Sequence, residues 1–186
     1  MNKVAILLKD RAVVRWSKLV LLASMMFFAY MFVDVLSPLK SMLETSRGWT
    51  SENFGTVTGD EYFLNVFVLF LIFAGIILDK MGVRFTAILS ALVMIAGAGI
   101  KYYALTDAFS GSGLETWLSS WWVSLPASAK LASLGFMIFG CGVEMAGETV
   151  SKGIVKWFTG KELALYRGFE MAIARMGVFA MLSMSP

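Results

Sequence analysis

Gly75-Ile-Ile-Leu-Asp79-Lys80-Met-Gly82-Val-Arg84-Phe85 is an eleven-residue stretch in which two apolar runs meet. The 17 residues between Glu61 and Asp79 hold no charge, and the 21 from Phe85 to Leu105 hold only Lys101. Between them stand an acid, two bases and a glycine. Gly82 permits a tight reversal, and Lys80 and Arg84 mark the turn as lying on the basic side of a membrane. Read this way, the stretch joins two membrane-crossing helices and decides the fold class.

The composition supports that reading. The chain has 186 residues, 58% of them hydrophobic and 16% charged, with a mean hydropathy of +0.74. A soluble domain averages about 45–50% apolar and about 25% charged residues, so the excess must lie in long apolar runs. There is no His and only one Cys, which excludes histidine general bases, Cys/His zinc sites and an intrachain disulfide.

Counting outward from Gly82 gives further runs. A bilayer core of about 30 Å takes roughly 20 helical residues. Five transmembrane helices are expected, over 19–39, 62–78, 85–105, 131–151 and 163–183, all within one domain covering 1–186. The first carries Asp34, the fourth Glu144 and Glu148, and the fifth Arg167, Glu170 and Arg175. The last two are the least apolar and are expected to be shielded from lipid by their neighbours. The first run is too long for a cleaved signal peptide and lacks a small-residue cleavage site, so it reads as a retained anchor. An N-terminus on the cytoplasmic side puts eleven Lys and Arg on inner segments, four on outer ends and Arg175 within the membrane. The positive-inside rule favours that orientation. In the outer loop, GLETWLSSWWVS is expected to be a short helix with Trp117, Trp121 and Trp122 on one side. It lies either at the membrane surface or as a soluble cap on the outer mouth.

Charges inside a membrane are costly and therefore point to function. Glu144, Glu148 and Lys152 are spaced four apart and share a helix face, and Gly140 is expected to leave space beside Glu144. Arg175 is five residues from Glu170, about 140° round the helix, so the two do not pair. Its partner is expected from elsewhere: Glu144, Glu148, Asp34 or a ligand. Glu144 and Arg175 both approach the midplane, offset by roughly 6–8 Å along the axis. That separation suits a zwitterion with its amine on Glu144 and its carboxylate on Arg175; a purely structural pair between two helices is the competing account. Asp34, with Tyr30 one turn before it, lines the same cavity or lies near the outer headgroups. Asn65 reads as a packing hydrogen bond, Gly97 and Gly99 as close helix contacts, and Cys141 as a small packing residue. With no nucleophile beside a base, an enzyme is not expected.

Two motifs carry a resemblance. The inner turn resembles the G-x-L-a-D-r-x-G-r signature between the second and third spans of the major facilitator superfamily. Gly75, Asp79, Lys80 and Gly82 match, Ile77 replaces the Leu, and the second base falls on Arg84 instead of Val83. Further on, Phe139, Gly140, Gly142 and Glu144, then Trp157, Phe158, Gly160, Lys161, Glu162 and Leu163, then Ala174, Arg175 and Gly177, resemble the dipeptide-transporting branch of that superfamily. One departure is Phe136, where many members carry a base. The resemblance implies the N-terminal five helices of a twelve-span secondary transporter working by alternating access, hence a fragment whose C-terminal half is the missing partner. It implies an inner gate at Gly75, Asp79, Lys80, Gly82 and Arg84, with substrate binding by Glu144 and Arg175. Glu148, Asp34 and Tyr30 join them from the residue reading.

The expected ligand is thus a small polar or zwitterionic solute, dipeptides among them. The expected partners are the lipid bilayer and, as a candidate, an accessory membrane protein, with no nucleic acid and no cofactor or metal. The membrane would be the plasma or inner membrane in a prokaryote and the lysosomal membrane in an animal. A non-transporting adaptor or assembly protein and an organic-anion transporter are the alternatives.

Overall fold

The computed structural model of the protein describes residues 12–158 and 162–184. Lys3, Lys9 and Arg11, and the Gly160 and Lys161 of the second motif, lie outside the described residues. Those described are helical, with no strand among them. The helices are α1 (Ala12–Val33), α2 (Lys40–Arg47), α3 (Ser51–Gly59), α4 (Phe63–Phe67), α5 (Phe70–Leu105), α6 (Gly113–Ser119), α7 (Ala127–Trp157) and α8 (Glu162–Ser183). Three stretches are long and apolar enough to cross a membrane: Ala12–Arg47, Phe70–Leu105 and Ala127–Trp157. This matches an integral membrane protein. Helix α8 is as long as α1 but carries Glu162, Arg167, Glu170 and Arg175 along its length.

Helix α5 is two arms. Gly82 has φ 81° and ψ 168°, a conformation essentially confined to glycine, and the neighbours on either side show that the chain reverses there. Before it, Glu61 lies against Gly140 and Asp79 against Lys152, so residues 61–79 run parallel to α7. After it, Ser90 and Met94 lie against Gly142 and Lys101 against Gly135, so the second arm runs antiparallel to α7. Helix α1 also opposes α7, with Leu22 beside Gly153 at one end and Phe32 tied to Lys101 at the other. Helix α8 runs with α1: Arg15 pairs with Glu162, and Gly177 packs on Phe27 and Met31. The described residues thus make five passes of alternating direction around α7, the most buried helix.

Three expected spans change. The fourth, expected over 131–151, runs from Ala127 to Trp157. The first helix ends at Val33, not at residue 39, because Ser37–Leu39 forms a 3-10 turn containing Pro38, whose ring and missing N–H cannot continue an α-helix. The pass expected as one helix over 62–78 is broken twice. A 3-10 turn at Asp60–Tyr62 precedes the five-residue α4. Leu69 then takes a left-handed φ of 54° before α5 begins, a conformation that costs an L-residue about 1–2 kcal/mol.

Packing divides into two layers. One core, toward the Gly82 end, joins Leu19 and Met26 of α1 to Ala146, Val150 and Ile154 of α7 and to Tyr166 and Ala174 of α8. The other core gathers Leu43, Trp49, Val57, Phe109, Leu118 and Phe136 beneath the loops. Arg47 ties this second layer together, donating to Leu105 O at 2.7 Å, Ser110 Oγ at 2.6 Å and Asp107 Oδ1 at 2.8 Å. The Trp-bearing helix is shorter than expected. Helix α6 stops at Ser119, leaving Trp121 and Trp122 beyond it. Leu118 packs inward while Trp117, Trp121 and Trp122 stay exposed, Trp122 at 93%.

Candidate functional site

Polar residues on four passes converge on one region. Tyr30 comes from α1 and Asp34 from the turn that follows it, Glu61 and Tyr62 from the broken second pass, Glu144 from α7, and Arg175 from α8. Glu61 lies within electrostatic reach of Asp34 and Glu144, and Tyr62 within reach of Tyr30 and Glu144. Arg175 is exposed, and its guanidinium carbon lies 5.5 Å from the centre of the Tyr30 ring. A cation over an aromatic face is held electrostatically by the ring quadrupole.

The contacts of α1 with α7 set the relative heights. Leu22 is level with Gly153 and Phe32 with the Phe136–Phe139 turn, so Tyr30 falls close to the level of Gly140. Glu144 is one turn further in, about 6 Å along the axis.

Arg175 has no carboxylate within ion-pair distance among the described residues; neither Glu144, Glu148 nor Asp34 reaches it. Glu170 faces the other way, buried against α1, as the spacing along α8 requires. Glu144 and Glu148 are half-buried, and Asp34 accepts from Ser37 Oγ at 3.4 Å. The space expected beside Gly140 is not open. The Glu61 backbone occupies it so closely that a methyl group on Gly140 would collide with the Glu61 carbonyl. Glycine there serves the approach of the second pass and does not make room for a ligand.

At the end of the bundle that holds the Gly82 turn, Asp79 pairs with Lys152 of α7. Around this pair lies a small polar pocket of about 360 Å³ lined by Gly75, Leu78, Asp79, Glu148, Lys152 and Arg167, among others. Glu148 therefore belongs with the inner turn, one turn below Glu144, and the two acids face different surroundings. Lys80 and Arg84 are exposed beside Gly82 and form no ion pair among the described residues. Arg15 and Glu162 close the same end between α1 and α8 at 3.1 Å.

Two groups escaped the reading of the sequence. Lys101 is only 2% exposed. Its ammonium donates to Phe32 O at 3.1 Å and sits 3.9 Å and 3.7 Å from the ring centres of Phe136 and Phe139. It caps the last turn of α1, where carbonyls lack helical partners. The position where the resemblance expects a base is thus a ring that carries a base from another helix. Glu61, 3% exposed, is the second. In the sequence it marks the end of an apolar run; in the fold it lies inside a pass. The signal available was Gly140 and Gly142 on the facing helix, which admit a backbone at close range.

Comparison with known proteins gave no match: no family model, no curated protein and no solved structure aligns with the chain.

Proposed function

We propose that the protein is a secondary transporter that carries a small zwitterionic solute, dipeptides included, by alternating access, and that the chain forms the N-terminal part of its transport domain. On this reading the five alternating passes are five membrane crossings with the N-terminus cytoplasmic, as in the first half of a major facilitator superfamily fold. One observation carries it: an exposed guanidinium, that of Arg175, is stacked on Tyr30 and has no carboxylate partner among the described residues.

A charge at this depth costs about 2.5–3.5 kcal/mol on insertion scales. A site that leaves it without a protein counter-charge has a use for it, and a solute carboxylate supplies one. Binding near the midplane between rocking halves is the common design of secondary transporters. In such a design Asp79, Lys152 and the Gly82 turn serve as the inner gate, and a second half encloses the site.

Uptake of labelled dialanine by liposomes holding the full-length protein tests the proposal. Arg175→Ala and Glu144→Gln are expected to lower uptake at least tenfold while each folded variant keeps its elution profile. Uptake at wild-type rates in both variants would favour the adaptor reading. Uptake of organic anions, with none of dialanine, would favour an organic-anion transporter.

A further inference from the structure

Glu61 is buried, yet its carboxylate accepts no hydrogen bond and joins none of the four ion pairs among the described residues. Lys101 is the cation that couples to it, but its ammonium is spent on Phe32 O and two aromatic faces. One turn along, Asn65 donates from Nδ2 to Glu61 O at 3.4 Å, while its Oδ1 is buried without any partner. Asn65 Oδ1 is thus a buried acceptor that the fold leaves unmade, and the Glu61 side chain one turn before it is given no donor among the described residues.

Their surroundings say what is missing. Residues 61–65 run parallel to α7 with Glu61 beside Gly140, so Asn65 falls at the level of Glu144. Three acceptor groups, Glu61, Asn65 Oδ1 and Glu144, therefore fall within about one turn of one another along α7. What they lack is a donor-rich cation.

We infer that Glu61 and Asn65 complete, with Glu144, the pole that takes a primary ammonium group of the solute. An ammonium carries three donors and one positive charge, which matches three acceptor groups where a planar guanidinium or a quaternary amine would not. The inference rests on the transport reading, and it makes the ammonium, not the carboxylate, the group on which selectivity turns. Asn65 supplies directionality, and Glu61 supplies charge.

The test uses the full-length protein in nanodiscs, with dialanine, N-acetyl-dialanine, putrescine and succinate as probes and thermal stabilisation as the readout. Glu61→Gln and Asn65→Ala are expected to weaken dialanine binding at least tenfold and to leave the weaker binding of N-acetyl-dialanine unchanged. Two variants are needed because either alone can disturb packing against α7. Equal loss for both peptides would mean a structural role and would overturn the inference, as would unchanged dialanine binding in both variants. If dialanine fails to bind the wild type while putrescine binds in a Glu61-dependent way, the dipeptide reading falls and the ammonium pole stands. If no amine binds, or only succinate does, the pole is refuted.

Discussion

Lys152 of α7 forms an ion pair with Asp79, three residues before the chain reverses at Gly82. The acid of the inner turn is thus held within its own group of helices, and its partner comes from the helix that also carries Glu144 and Glu148. Both partners are well exposed, the Asp79 side chain at 76% and that of Lys152 at 43%. Exposed pairs contribute about 0–1 kcal/mol, so Asp79→Asn and Lys152→Ala should move the melting temperature little. Dialanine uptake should fall severalfold in each single variant and recover in the charge-swapped Asp79→Lys, Lys152→Asp double variant. A large stability loss with no recovery would show that the pair is a structural tie only.

Glycines facing α7 should be intolerant and their neighbours tolerant. A methyl on Gly97 would lie 2.5 Å from Phe139 N, whereas Gly99 has nothing within 4 Å. Both were expected to be contact residues, and only Gly97 is one. Overpacking typically costs about 1–3 kcal/mol. Gly97→Ala and Gly140→Ala should lower thermal stability in detergent clearly, while Gly99→Ala should match the wild type.

Gly82 should resist replacement for a different reason. A Cβ there meets no atom within 4 Å, so the penalty is purely conformational, of order 1–3 kcal/mol. Gly82→Ala is expected to destabilise by that amount with no change in packing, and Gly82→Asn by a similar amount, because asparagine tolerates positive φ near ψ 45° and not near 168°. Equal melting temperatures for glycine and alanine would show that the reversal does not need this backbone conformation.

The three exposed tryptophans distinguish a membrane-lying loop from a soluble cap. Trp117 and Trp121 pack edge to face with ring centres 4.7 Å apart, and Trp122 stands free. Indole rings favour the headgroup zone. Brominated lipids should therefore quench the fluorescence of a variant that keeps only these three indoles, and Trp122→Ala should remove much of the quenching. Quenching by aqueous acrylamide alone would place the loop in water.

The reversal at Gly82 was legible because two apolar runs, a glycine and flanking bases are one-dimensional signals. The alternating passes followed from it. Glu61 and Lys101 were not legible, because hydropathy treats a charge as the edge of a span. Here one sits inside a broken pass and the other folds back under aromatic rings. Gly97 and Gly99 differ by about 200° round a helix, and spacing alone does not say which of them meets α7. Arg175 stood out as a charge in an apolar run, but its companion Tyr30 lies on a helix made 145 positions earlier, a pairing that only the fold creates.

Helix α8 packs chiefly on α1 and only sparsely on α7, its neighbour in the chain. During synthesis the ribosome therefore releases α1 long before its partner exists. Phe27 and Met31, on which Gly177 packs in the finished fold, must wait in lipid or against a chaperone until α8 has emerged. Helix α8 carries four charges and is not among the three stretches apolar enough to cross a membrane, so on the five-crossing reading its insertion depends on α1 being already in place to receive it. A ribosome that stalls before residue 162 would leave α1 with one bare flank, a feature that membrane quality control can detect and clear.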